Sequence, residues 1–175
     1  MHKNNPAFRV AMLGVLAALN VIAAEILKFP VIPKVLELNF GFVPLAVAGM
    51  LFGPVSAVLV GIVGDIVGAA IFSAGDFYFG YTLTAALTGL LYGLFLHKPA
   101  EGKRRVVFVL IAQALVSLIC FAGLNTLWAF LMGYARTSQY IITRLVVNAV
   151  AYPIYTLVLL LIWRYRKNLE RAVRA

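Results

Sequence analysis

Charge is scarce in this chain. Asp, Glu, Lys and Arg make up 12% of its 175 residues, about half the share a soluble domain carries. Acids are the scarcer class, 6 against 15 Lys and Arg. A single cysteine, Cys120, excludes an intrachain disulfide and a Cys-x-x-Cys metal motif. The two histidines, His2 and His97, lie far apart at the ends of apolar runs and make no metal site. Walker A and Gly-rich phosphate loops are missing as well. No two carboxylates share a helix face, and the paired-Asp or Ser–His arrangement of an intramembrane hydrolase is absent. An enzyme is therefore not expected, nor is a cofactor or a metal. The lack of two matching halves counts against a transporter built from inverted repeats.

What is present is apolar surface: 63% of the residues, with a mean hydropathy of +0.98. Such a chain buries that surface in lipid rather than in a core of its own. Residues 10 to 24 imitate the apolar core of a leader peptide, but the later runs would hold the chain in the membrane regardless. No soluble domain is expected. The net charge of +9 would point to nucleic acid in a soluble protein, yet here its placement explains it. Lys3 and Arg9 precede the first run, Lys98, Lys103, Arg104 and Arg105 share one mid-chain loop, and Arg164, Arg166, Lys167, Arg171 and Arg174 close the chain. Basic loops stay cytoplasmic. All three clusters then face one side, against anionic headgroups of the bilayer, and each stretch between them crosses an even number of times. No nucleic-acid partner is expected.

A helix needs about 20 apolar residues to cross the hydrocarbon. Residues 8 to 27 supply the first span. The run from Leu38 to Ser73 is too long for one span and is split by Gly53-Pro54, which predicts a short helix over 39–52 and a fuller one over 55–73. Further spans follow at 80–96, 106–131 and 140–163. Six helices satisfy the even count, with outer loops at 28–38, 74–79 and 132–139. The expected fold is an all-α integral membrane protein, one six-helix transmembrane domain over residues 1–175 with both termini cytoplasmic. It would sit as a multi-pass protein in a prokaryotic cell membrane. The second span is short, which implies tilt, local thinning or a neighbouring cavity.

Polar residues inside spans are costly and face a bundle interior or a wet cavity. Here they recur at helical spacing. The sixth span carries Tyr140, Arg144, Asn148, Tyr152 and Tyr155; the fifth Gln113, Ser117, Asn125 and Trp128; the fourth Tyr81, Thr84 and Thr88 with Thr82 beside them; the third Asp65 among Gly61, Gly64 and Gly68. Four polar stripes imply a lined cavity. Thr88, Ser117 and Tyr155 are read as helix-joining groups. Arg144 has three open readings: snorkelling to headgroups, an ion pair with Asp65, or contact with a ligand carboxylate or polar ring. Asp65 pairs with Arg144 or accepts from a ligand. Tyr81 and Trp128 are interfacial aromatics or stacking surfaces for a planar ligand. Ala7, Ala11, Gly14 and Ala18 give the first helix a face of small side chains, for close approach by a neighbouring helix or a partner protein. Ala57, Gly61, Gly64 and Gly68 repeat that rhythm in the third helix, for packing inside the bundle.

Three longer strings carry a resemblance: Phe40-Gly41-Phe42-Val43-Pro44 running on to Gly53-Pro54, Val63-Gly64-Asp65-Ile66-Val67-Gly68-Ala69, and Gly80-Tyr81-Thr82-Leu83-Thr84-Ala85 running on to Tyr92-Gly93. Asn125-Thr126-Leu127-Trp128, Arg144 and Pro153 complete it. Over nearly its whole length the chain resembles the substrate-binding S components of energy-coupling factor (ECF) vitamin transporters, most closely the folate-type group. The resemblance implies a six-helix subunit that binds a vitamin from the outer face. It also implies partners, a transmembrane coupling protein and two cytosolic ATPases, with the small-residue face of the first helix as the docking surface. On this reading Tyr81 and Trp128 flank a planar ring. Asp65, Thr82, Thr84, Asn125 and Asn148 bond its edge, and Arg144 and Lys34 meet a carboxylate. Pantothenate or another water-soluble vitamin is the nearest alternative ligand. A ligand-free membrane assembly protein and a stand-alone facilitator are the alternatives of other classes.

Overall fold

The computed structural model describes residues 6–32, 36–72, 77–97, 103–133 and 138–174. Helix α1 (Pro6–Val21) runs on through a π-helical turn, Ile22–Ile26, as one apolar span. Strands β1 (Lys28–Ile32) and β2 (Leu36–Asn39) follow, then α2 (Phe42–Phe52), α3 (Pro54–Phe72) and α4 (Phe79–Leu96). The fifth span is continuous over Val106–Leu131, built from α5 (Lys103–Leu115), a π-helical segment Val116–Leu124, and α6 (Asn125–Leu131). Helix α7 (Ser138–Arg164) is the last span and α8 (Arg166–Arg174) a short terminal helix.

Five of these helices are long and apolar enough to cross a membrane, and Phe42–Phe52 is a shorter apolar one. The six expected spans are all found, with ends shifted by a few residues at most. The protein is a multi-pass membrane protein, and its outward apolar residues form the belt that lipid covers: Val10 is 70% exposed, Val55 69% and Leu118 67%. The brevity of α2 has a structural cause. Nine of its 11 residues are buried, packed among α1, α3, α4 and α7, so α2 needs no lipid-spanning length of its own.

Two elements depart from the sequence reading. Within the expected outer loop, β1 and β2 pair antiparallel, Lys28 with Asn39 and Phe29 with Leu38. Pairing satisfies backbone groups that a loop beside the membrane would leave to water. The second is α8, whose Leu169 and Val173 pack on the core. Arg166 anchors it, donating to the carbonyls of Leu96 at 3.2 Å and His97 at 2.9 Å while paired with Glu170 at 2.6 Å. At the same end, Arg9 donates to Phe52 O and to Ser56 Oγ at 2.7 Å, and Gly53, at φ +90°, turns the chain beside His97. The ends of α1, α4 and α8 and the α2–α3 turn therefore share one basic face, as the charge pattern requires.

The core rests on the close crossing of α3 and α4. A β-carbon added to Gly61 would meet Ala85 O at 2.6 Å, and one added to Gly89 would strike the Ala57 carbonyl. Each helix thus contributes a missing side chain where the other's backbone passes. Gly61→Leu should force the helices apart against backbone that cannot yield, costing roughly 1–3 kcal/mol. A fall in the thermal unfolding midpoint of the detergent-purified protein checks this; an unchanged midpoint would refute the tight crossing.

Candidate functional site

On the half of the bundle away from the basic face, the helices part around a chamber of about 170 Å³. Its wall comes from α1 and its π turn (Asn20, Val21, Ala24, Glu25), from the approach to α2 (Asn39, Gly41, Phe42, Leu45) and from α3 (Gly64, Asp65). Helix α4 adds Tyr81, Thr84, Ala85 and Thr88, and the fifth span Phe121 and Asn125. The four polar stripes read from sequence thus meet only in part. Asp65, Tyr81, Thr84 and Asn125 face the chamber together.

Thr82 and Trp128 stand directly behind that wall. Thr82 Oγ1 donates to Asp65 Oδ2 at 2.6 Å, fixing the carboxylate and using one of its roughly four acceptor positions. Trp128 Nε1 donates to Thr84 Oγ1 at 2.9 Å, and that hydroxyl passes its own proton to Gly80 O at 3.1 Å. The indole lies over Gly80, where a β-carbon would stand 2.5 Å from the ring. Tyr78 packs against it at 5.8 Å between centroids and against Tyr81 at 6.3 Å. An aromatic cluster therefore borders the chamber.

Helix α7 contributes no chamber-lining residue. Arg144 Nε donates to Tyr140 Oη at 3.2 Å and its guanidinium lies 5.3 Å from that ring centroid. Asn148 Nδ2 bonds back to Arg144 O at 2.8 Å. The ion pair of Asp65 with Arg144, one of the open readings, is not formed: Thr82 holds the acid and Tyr140 the base. Tyr155 is the member of this stripe that reaches the site's frame, its hydroxyl accepting from Asn39 N at 3.1 Å. Lys34 lies outside the described residues.

Several wall residues escaped the sequence reading. Asn20 Nδ2 donates to Gly41 O at 2.6 Å, and Asn39 joins α1 to α2 by donating to Ala24 O at 3.1 Å and accepting from Gly41 N at 2.6 Å. Asn20 packs on Gly64, where any side chain would collide with it. A lone Asn in an otherwise apolar span, one turn before an acid, was the available signal. Glu25 also lines the chamber, close to Asp65 although the two are on different helices. Thr88, read as a helix-joining group, sets its buried hydroxyl beside the Cys120 thiol of the fifth span, and the buried amide oxygen Asn125 Oδ1 has no hydrogen-bond partner. Among the described residues the lining has two carboxylates and no Lys or Arg, and no group of three metal ligands occurs.

The small-residue stripe of α1 takes the opposite position. Ala7, Ala11, Gly14 and Ala18 are all exposed, and a β-carbon on Gly14 would meet nothing within 4 Å. The third-helix stripe is inside the bundle as expected, with Ala57, Gly61, Gly64 and Gly68 buried.

Comparison with known proteins places these features. A family model described as the ECF-type riboflavin transporter, S component, matches residues 5–167. The folate transporter FolT of Clostridium novyi is 32% identical over 136 residues, 78% of this chain and 77% of its own. The FolT of Leuconostoc mesenteroides is 30% identical over 150 residues, 82% and 77% of the two chains. A crystal structure of FolT bound with folic acid superposes with a TM-score of 0.79 at 28% identity, covering 89% of this chain and 92% of that one.

Asn20→Ala removes the bond that closes the chamber between α1 and α2. A buried carbonyl losing its donor should lower stability by about 1–3 kcal/mol. Thermal unfolding in detergent measures this, and a loss well below 1 kcal/mol would show that the bond does not hold the wall.

Proposed function

Given that the chain belongs to the family of ECF-type riboflavin transporter S components, we propose that it captures folate from the outer face for an ECF importer. A transport subunit of this kind is not an enzyme. The observation that carries the folate reading is the chemistry of the chamber, bordered by aromatics and presenting the Asp65 carboxylate, with no Lys or Arg among the described lining residues. The pterin head of folate is a planar ring whose edge offers a 2-amino group and an adjacent ring N–H. A carboxylate such as Asp65 accepts both in parallel, a charge-assisted arrangement stronger than neutral bonds. The folate relatives and the folic-acid-bound neighbour support the same ligand.

The chamber is smaller than the roughly 300 Å³ at which pockets for drug-sized ligands begin. It has room for one ring system. The head enters and the anionic glutamate end stays toward the outer surface, since the Asp65 carboxylate would repel it. Thr84 and Asn125 then serve the ring edge, Tyr81 lies along its face, and Thr82 and Trp128 hold the wall behind. On this reading Lys34, Arg144 and Asn148 would serve the outer portion of the ligand, Arg144 by exchanging its contact with Tyr140 for a ligand carboxylate. Pantothenate, an anion without a ring, suits this chamber poorly. Riboflavin is the second reading, carried by the description of the matching family model.

The exposed stripe of Ala11, Gly14 and Ala18 supports docking of the transmembrane coupling protein, whose two ATPases would drive release inside. Small side chains let a partner helix approach closely where lipid is the alternative neighbour.

Isothermal titration of the purified protein with folic acid, riboflavin and pantothenate should show saturable folic acid binding below micromolar. Asp65→Asn should weaken it at least about tenfold. Saturable riboflavin binding without folic acid binding would move the assignment to riboflavin. Gly14→Leu should leave folic acid affinity within about twofold while abolishing uptake by cells that supply the coupling protein and ATPases. Uptake at the unsubstituted rate would remove α1 from the partner interface.

A further inference from the structure

Among the described residues, α7 lends the chamber no lining side chain, yet one of its residues reaches the frame on which the lining is mounted. Tyr155 is buried, 6% exposed. Its ring packs at 4.5 Å between centroids on Phe42 and, edge on, at 6.4 Å against Phe121. Both phenylalanines line the cavity. Its hydroxyl accepts from Asn39 N at 3.1 Å. Tyr155 therefore meets three lining residues from behind, two through its ring and one through its oxygen.

Asn39 is the residue through which that oxygen acts. It ends β2, where the chain turns toward α2, and its side-chain amide spans the gap beside it. Nδ2 donates to Ala24 O in the π turn of the first span, and Oδ1 accepts from Gly41 N. Gly41 O in turn accepts from Asn20. All four residues line the chamber, so one side of the wall is a chain of bonds with Asn39 in its middle. The amide can hold both neighbours only while its own backbone stays in place. At a membrane edge the Asn39 N–H needs an acceptor, and Tyr155 supplies one from α7.

Resting on the folate reading, we propose that Tyr155 is a positioning residue for the ligand: through Asn39 it holds the α1–α2 side of the chamber in its binding shape. Ring and hydroxyl have separate parts. The ring fixes where Phe42 and Phe121 stand, and the hydroxyl fixes where Asn39 stands. A wall already in place costs the ligand no ordering on arrival. Without the hydroxyl only a fraction of the chambers has that shape, and apparent affinity falls by the same fraction. Tyr152, three residues earlier on α7, provides the contrast. Its hydroxyl donates to Leu110 O at 3.3 Å, on the fifth span and outside the chamber lining.

Folic acid titrations, each run below the variant's own unfolding midpoint, separate these parts. Tyr155→Phe keeps the ring and drops the hydroxyl; it should weaken folic acid binding about tenfold. Tyr152→Phe should leave the affinity within about twofold. Asn39→Ala should weaken binding as well, and adding Tyr155→Phe to it should cost less than about threefold more, because the amide that the hydroxyl positions is already gone. A tyrosine that merely stabilised the bundle would repeat its full effect in the Asn39→Ala background. Unchanged folic acid affinity in Tyr155→Phe would overturn the proposal, as would a full tenfold loss on top of Asn39→Ala or an equal loss in Tyr152→Phe. Absence of folic acid binding by the unsubstituted protein would instead remove the folate reading itself, and this inference with it.

Discussion

Everything that positions the chamber depends on how closely α3 and α4 can cross. Gly61 leaves room for the Ala85 carbonyl and Gly89 for that of Ala57, so two backbones meet where side chains would ordinarily separate them. Hydrophobic burial cannot drive this contact between helices already in lipid; close packing does. The same crossing brings Thr82 onto Asp65 and sets Thr84 and Thr88 in the wall opposite α1. Trp128 is seated at its outer end over another missing side chain, Gly80.

The second constraint is that hydrocarbon offers no hydrogen bonds. The chain meets it by enclosing its polar groups and by tying irregular backbone to side chains. Where α1 ends and α2 has not begun, Asn20 and Asn39 take the carbonyls of Gly41 and Ala24, and Tyr155 accepts from Asn39 N. Deeper in the bundle, Tyr92 donates to Gln113 at 2.7 Å with both side chains fully buried. This satisfaction is incomplete at Thr88 and Asn125 in the chamber wall, as it is at Gln113 Nε2 and His97 Nδ1 outside it. Of these, the two in the wall are the ones within reach of a molecule entering the chamber.

The spans were legible because two independent signals agreed: apolar length, and a parity set by basic residues. Gly53-Pro54 marked the boundary that length alone would have missed, and the structure turns there at a positive φ. Asp65, Tyr81, Thr84 and Asn125 were also legible, since a polar residue in a span is rare enough to mean something. The stripe on α7 shows the limit of that logic. Helical spacing puts Tyr140, Arg144 and Asn148 on one face but does not say what the face meets, and here they bond chiefly to one another. Glu25 and Asp65 come together from separate helices, which no periodicity along the chain reveals. The hairpin was hidden because short strands at a membrane edge have little alternation to display, and α8 because its cations served equally well as a topology signal.

The fifth span contains a stretch, Val116–Leu124, whose backbone bonds close over five residues rather than four. Such a widened turn accommodates an extra residue, so every position beyond it is rotated by ~100° from where an unbroken α-helix would put it. Asn125 and Trp128 lie just past this stretch, and Gln113 just before it. The outer segment is therefore indexed independently of the inner one: tightening those bonds by a single step would swing the amide and the indole away from α4 while Gln113 stayed on Tyr92. The span works as two keyed lengths on a common axis, with the key cut beside the ligand chamber.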